Sequence, residues 1–249
     1  MTYVTCPTTR YHPAVVAQKA ATTQLLAEGR FRLGLGSGEN LNEHVVGGGW
    51  PAAHVRLEML EEAVEIIRAL FDGKNVNHHG PHFDVENARL FDLPDEPTPI
   101  GIAVAGERSC APAGRLADLL IATEPKAELV DSFERHGGSG KPKVGQLPVC
   151  YDPDRDAAVR RAHEQFRWSL GGWPVNSELP GPASFDTAPG TPGPRTSRSR
   201  SRAATTSTPS SRPYALMSPP TSPRWPWSRS AATTNSPSWT GPRRNCSPH

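Results

Sequence analysis

The sequence has no long apolar run. Across 249 residues the hydrophobic stretches are only a few residues long, and Met1 leads straight into Thr-Tyr-Val-Thr without a basic, then hydrophobic, leader. No membrane span or secretory signal is expected, and the chain reads as soluble and cytoplasmic. Cysteine is scarce as well. Cys6, Cys110, Cys150 and Cys246 are widely spaced with no C-x-x-C pair, a pattern that suits neither a disulfide scaffold nor a zinc site and predicts reduced thiols, with Cys6 and Cys150 packed in strands. A Walker loop is missing, so a nucleotide triphosphatase has no basis. One region lacks acids altogether. Residues 189–249 contain no Asp, Glu, Lys or Ile, but 12 of the 27 prolines, 13 serines and nine arginines, which leaves a formal charge of −7 on residues 1–188. The overall charge of +2 therefore averages two unlike segments.

The first 188 residues alternate strand-like and helix-like patterns. Thr2–Cys6 reads as a strand stopped by Pro7, and a helix follows Pro13 to about Gly29. Phe31–Leu35 is a short apolar strand running into a glycine-rich loop. Ala52–Phe71 is the clearest helix: Val55, Met59, Leu60, Ala63, Ile66, Ile67 and Leu70 keep a 3, 4 spacing, with Glu58, Glu61, Glu62 and Glu65 assigned to the other face. Val76–Leu93 reads as a hairpin around His79-Gly80-Pro81. Strands are predicted over Ile100–Ala105, Leu119–Thr123 and Val144–Tyr151, and helices over Arg108–Leu116, Glu124–Arg135 and Asp154–Trp168. Pro112 in the first of these helices would cost about 3 kcal/mol in a helix interior, which predicts a kink or marks a sequence error. Strand then helix, repeated about five times, implies a parallel sheet covered by helices.

Gly34-x-Gly36-x-Gly38 is not a dinucleotide fingerprint. Its spacing is wrong, and a Gly47-Gly48-Gly49-Trp50-Pro51 loop, not a helix N-terminus, comes next. It fits better as a wide loop at the C-terminal end of a barrel strand. His78, His79 and His82 lie in a turn without fixed helical spacing or a fourth ligand, so no metal site is assigned. Trp50 is read either as a cover for substrate or as an aromatic packed on a neighbouring helix.

Two strings carry a family resemblance: Tyr3–Gln18 (Tyr-Val-Thr-Cys-Pro-Thr-Thr-Arg-Tyr-His-Pro-Ala-Val-Val-Ala-Gln) and Phe31–Glu43 (Phe-Arg-Leu-Gly-Leu-Gly-Ser-Gly-Glu-Asn-Leu-Asn-Glu). They resemble the luciferase-like (β/α)8 superfamily, and within it the deazaflavin-dependent oxidoreductases similar to F420-dependent glucose-6-phosphate dehydrogenase. The agreement extends through Gly106-Glu-Arg-Ser109, Ala113–Asp118 and Thr123–Lys126 to about Asp186. The resemblance implies a barrel that binds coenzyme F420 at its C-terminal face and moves a hydride between the deazaflavin and a small alcohol or sugar-phosphate-like substrate.

By position, the resemblance places Tyr3 and Val4 at a non-prolyl cis peptide under the ring, with Cys6, Gly38 and Asn42 also at the cofactor. Glu39 matches the family's acid, which exchanges a proton as the hydride moves; the bland alternative is a carboxylate capping the N–H groups of residues 40–43. Gly106, Glu107, Arg108 and Ser109 match the cofactor's phosphate loop, chemistry that suits an Arg beside free backbone N–H groups. Thr123 and Lys126 match a sugar-phosphate subsite, the alternative for Lys126 being a solvated helix-start lysine. An FMN-dependent monooxygenase of the same superfamily is the alternative cofactor reading. A family-like homodimer is a possible assembly; no nucleic-acid or membrane partner is expected.

Met1-Thr2 falls at the family's third strand, so the expectation is an incomplete barrel of about strands three to seven over residues 1–188. The second-strand histidine that serves as the family's base would then be absent, and the chain as written is expected to be inactive or unstable. Residues 189–249 are expected to be a disordered Arg/Ser/Pro-rich tail. Read one base out of frame, codons for Ile-Pro-Cys-Gly-Asp-Asp-Val-Asp-Ala-Phe give Ser201–Pro209. The same shift accounts for Trp225–Thr233 and Thr240–Ser247, so the tail reads as an out-of-frame translation of the family's last strand and helix. A nucleic-acid-binding arm is the rival reading of this basic tail.

Overall fold

The computed structural model describes residues 1–122, 124, 126–146, 148–187 and 202–204. These residues belong to one unit, Met1–Ala215. Its centre is a parallel sheet of β1 (Leu33–Leu35), β4 (Ile100–Val104), β5 (Leu119–Ala122) and β6 (Lys143–Gly145), in that spatial order. Register runs Leu33 to Ile100, Gly101 to Leu119 and Leu120 to Lys143. Neighbours in space are thus successive parallel strands, as in a (β/α) barrel, whereas a doubly wound sheet reverses order at a switch point.

The N-terminal segment extends this series on the outer side of β1. Thr5 forms a parallel bridge with Leu35, the Tyr3–Val4 peptide is cis, and Cys6 lies just beyond the bridge and not in a strand. Thr5 N–H donates to Gly34 O (2.8 Å), Gly36 N–H to Thr5 O (3.1 Å), and Gly34 N–H to Thr2 Oγ1 (2.9 Å). A Cβ at Gly34 would collide with the Thr2 carbonyl, and one at Gly36 would sit 2.6 Å from Val4 Cγ2. These two glycines therefore serve close strand approach.

Helices α1 (Pro13–Leu26) and α3 (Ala53–Phe71) pack together and share one core with the sheet, and α4 (Glu107–Leu116) covers β4 and β5 with α5 (Ala127–Phe133) packed on α4. Leu35, Leu60, Ile66, Ile67, Leu70, Ile100, Ile102, Leu120 and Phe133 form the centre of the core. α4 is a single helix with Pro112 inside it. α5 starts three residues later than the pattern predicts and passes at Glu134 into a wide turn ending at Gly138.

The hairpin β2 (Val76–His79) and β3 (Asp84–Ala88) is antiparallel, as predicted. Glu62 corrects the helical reading of α3. It is buried, not solvated: its carboxylate accepts from Phe83 N–H (2.9 Å) and His82 N–H (3.1 Å), and lies 2.9 Å from His78 Nε2. The histidines thus face carboxylates, with His79 against Asp84 and His82 near Glu58. Among the described residues no three metal-ligating side chains cluster.

A second correction concerns 144–151. The predicted single strand is two, β6 and β7 (Val149–Tyr151), in different sheets. Pro148, which lacks an N–H, stands immediately before β7. β7 pairs in parallel with β8 (Arg202–Ala204). Helix α6 (Arg155–Phe166) follows, and Asp154 Oδ1 accepts from Asp156 N–H (2.9 Å) at its start. The short α7 (Trp173–Asn176) and α8 (Pro182–Thr187) come between α6 and β8. No helix among the described residues is long and apolar enough to cross a membrane.

Candidate functional site

Cys6, Gly38 and Glu39 follow the Thr5 bridge and β1, and Gly106, Glu107, Arg108 and Ser109 follow β4, at the C-terminal ends of parallel strands where barrel folds place their chemistry. Tyr3 and Val4 precede the bridge, Asn42 lies in the short helix after β1, and Lys126 lies in the loop after β5. Thr123 lies outside the described residues. Two clusters form.

The first follows the Thr5 bridge and β1. Gly38 has φ +92°, and a Cβ there would sit 3.1 Å from both Glu43 Cγ and the Trp50 ring. This turn directs the chain into the short helix α2 (Asn40–Glu43), with Glu39 in the N-cap position. Glu39 does not cap with its side chain, which removes the bland reading of that residue. Its Oε2 accepts from Asn42 Nδ2 (3.2 Å), while its backbone carbonyl accepts from the Asn42 and Glu43 amides. Burial first, and then the charge of Glu43, push the Glu39 carboxyl above the usual carboxylate range. Cys6 senses the same environment: burial, Glu43 and Glu39 push its thiol up to about 12. Sequence reasoning assigned no role to Glu43. It is fully buried, accepts from Arg10 N–H (3.0 Å), and leaves Oε1 without a hydrogen-bond partner, with the Arg10 guanidinium 3.7 Å away.

Trp50 packs on a helix residue. Its ring lies 4.1 Å from the guanidinium of Arg56, on α3, and its Nε1 donates to Glu178 Oε2 (2.8 Å). Arg56, 3% exposed, donates to Glu178 Oε1 (2.7 Å). Burial opposes the charge on Glu178, but the hydrogen bond and charge of Arg56 outweigh it and hold that carboxyl below its usual range. Nothing in the local sequence signals this trio, because Glu178 comes from beyond α7.

The second cluster follows β4 and β5. A cavity of about 590 Å³ is lined by Ala105, Gly106, Glu107, Lys126, Glu128, Leu129, Asp131 and Arg135. Ser109 Oγ accepts from the N–H groups of Ala105 (3.2 Å) and Gly106 (3.3 Å) and donates to Gly106 O, which fixes the start of α4. Gly106 has open space where a side chain would stand. Glu107 and Arg108 are exposed. Lys126 pairs with Glu124 (2.5 Å), and Arg135 lies 3.8 Å from Glu107. The structure thus groups Gly106, Glu107 and Lys126 around one cavity and adds Arg135, which the sequence reading missed. A cation in the turn that follows α5 was the only available signal.

The sequence profile of the luciferase-like monooxygenase family matches residues 2–218. The chain belongs to that family. Among curated proteins it is 44% identical over 171 residues to an F420-dependent glucose-6-phosphate dehydrogenase of Amycolatopsis mediterranei, covering 64% of this chain and 51% of that protein. It is 42% identical over 170 residues to the protein of that description from Beutenbergia cavernae, with the same coverage. The chain thus spans about half the length of these relatives. Among solved structures, an F420-dependent secondary alcohol dehydrogenase in complex with an F420-acetone adduct superposes with a TM-score of 0.72 at 29% identity, covering 81% of this chain and 64% of the other. The F420-dependent tetrahydromethanopterin reductase of Methanopyrus kandleri shares the fold, with a TM-score of 0.56 at 18% identity.

Proposed function

We propose that the chain is a coenzyme F420-dependent oxidoreductase acting on a small alcohol or sugar-phosphate-like substrate. The observation that carries this reading is Glu39, a carboxyl just beyond the C-terminal end of β1 that does not cap the following helix and whose proton affinity is raised by burial and by the charge of Glu43. When bound, the deazaflavin supplies the acceptor or donor carbon for a hydride.

The residues present fit such a group. Gly106 leaves open space over the start of α4, where helix amides lack intrahelical partners, and Lys126 and Arg135 line the cavity beside it. Arg108 is exposed on the same first turn. These groups suit anionic phosphate oxygens, with Glu107, Glu128 and Asp131 limiting the net positive charge of the cavity. At the other cluster, Asn42 orients the Glu39 carboxyl, and the raised proton affinity of Glu39 lets it give up or take back a proton nearer neutral pH than an ordinary carboxyl. Cys6, protonated under the same conditions, contributes a neutral wall.

Turnover by this chain alone is expected to be low: among the described residues the Thr2–Thr5 segment pairs with β1 only, and Tyr3 is half exposed. The test is a fluorescence titration of the purified chain with F420 and, separately, with FMN, followed by turnover with glucose-6-phosphate and 2-propanol. Saturable F420 binding in the micromolar range, weakened by Arg108→Ala, supports the reading. Binding of FMN but not F420 would overturn it in favour of a flavin monooxygenase.

A further inference from the structure

The chain's late segment is fastened to the turn that carries Glu39. Asn40 N–H donates to Ser177 O (2.9 Å), and Asn40 Nδ2 donates to Glu178 O (3.0 Å). From the same residue, the Glu178 carboxylate divides its two oxygens between Arg56 and the Trp50 indole. Trp50 in turn closes on Gly38, whose missing side chain makes room for its ring. Residues 38 and 40, on either side of Glu39, are therefore both held through residues 177 and 178.

We propose that Glu178 is a positioning residue for Glu39, fixing the 38–43 turn through Trp50 and Arg56 on one side and through Asn40 on the other. This rests on the reading of Glu39 as the acid. The chemistry supports a dedicated latch over incidental packing. A guanidinium as buried as that of Arg56 needs a counter-charge, and the charge it receives comes from a residue remote in sequence. A planar cation stacked on an indole, with both donating to one carboxylate, leaves Trp50 little rotational freedom. Ser177 is itself buried, so the backbone supporting Asn40 is anchored.

Two variants test this: Glu178→Gln, which keeps the shape but offers only one accepting oxygen, and the double variant Arg56→Met with Glu178→Gln, which also removes the buried charge should the single variant melt early. Hydrogen exchange of the Asn40, Asn42 and Glu43 amides is the readout that needs no activity. At least tenfold faster exchange there, with α3 unchanged, is expected. On the wild-type activity, Glu178→Gln is expected to lower kcat tenfold or more while F420 affinity stays within twofold, and to move the limb of the pH profile assigned to Glu39 toward lower pH as that carboxyl becomes better hydrated. Exchange within twofold of wild type at the three amides overturns the latch. Equal losses in kcat and F420 affinity without a pH shift overturn the positioning role and leave a structural one. A wild-type chain that binds no F420 refutes the proposed function, and the exchange measurement still decides the latch.

Discussion

Replacing Glu62 by Ala should detach the β2–β3 hairpin from α3. The buried carboxylate accepts two main-chain amides, His82 and Phe83, and faces His78 Nε2 on the half-exposed side. Truncation leaves the buried Phe83 amide and the partly buried His82 amide without an acceptor. Each orphaned donor costs about 1–3 kcal/mol, so the loss should total roughly 2–6 kcal/mol. The His78 contact, with Glu62 buried and the imidazole partly exposed, is lost as well and adds to that total. For a domain of this size the penalty corresponds to a fall in Tm of roughly 5–20 °C. Glu62→Gln should lose about half as much, because one oxygen remains for one amide while the new NH2 faces the other. Thermal and urea unfolding of the three proteins measures the order, and hydrogen exchange at residues 82 and 83 locates it. A Glu62→Ala protein within about 0.5 kcal/mol of wild type would refute the account of the hairpin as carboxylate-held.

Two further outcomes concern the acidic cluster. The Glu39 carboxyl is raised in the folded state, so between its unfolded value, about 4.3, and its folded one the native chain holds the extra proton, and stability falls as pH rises through that window. Glu39→Gln should flatten this slope in urea midpoints measured from pH 4 to 7; an unchanged slope would show that another group is responsible. With its thiol at about 12, Cys6 should alkylate at pH 8.5 roughly a thousandfold more slowly in the native chain than in urea, as mass spectrometry of its peptide would show, and comparable rates would refute the burial of that thiol.

The parts of the fold that local pattern encodes could be read from the sequence. The 3, 4 spacing over 53–71, the turn at His79-Gly80-Pro81 and the all-apolar Ile100–Val104 each correspond to an element of the structure, because amphipathic periodicity and turn chemistry act within a few residues. The reading failed where distant partners decide. Glu62 looked solvated because its partners are the amides of a hairpin twenty residues on. The break between Gly145 and Val149 was signalled by Pro148 but outweighed by the apolar run around it. At the site, the resemblance identified Glu39, yet Glu43 and the Trp50, Arg56 and Glu178 trio follow from three-dimensional packing that no spacing rule reports.

The register of the central sheet also sets the order in which its strands can most cheaply come together. β4 and β5 are joined by α4 alone, from Gly101 to Leu119, whereas β1 must wait for Ile100 across the whole of α3 and the hairpin. Loop-closure entropy makes the longer connection about 1 kcal/mol more costly to close. The β4–α4–β5 unit, which carries the Gly106 loop and one wall of the cavity, is the least costly parallel pair to assemble. The turn bearing Glu39 sits on the strand whose pairing with β4 closes the longer connection.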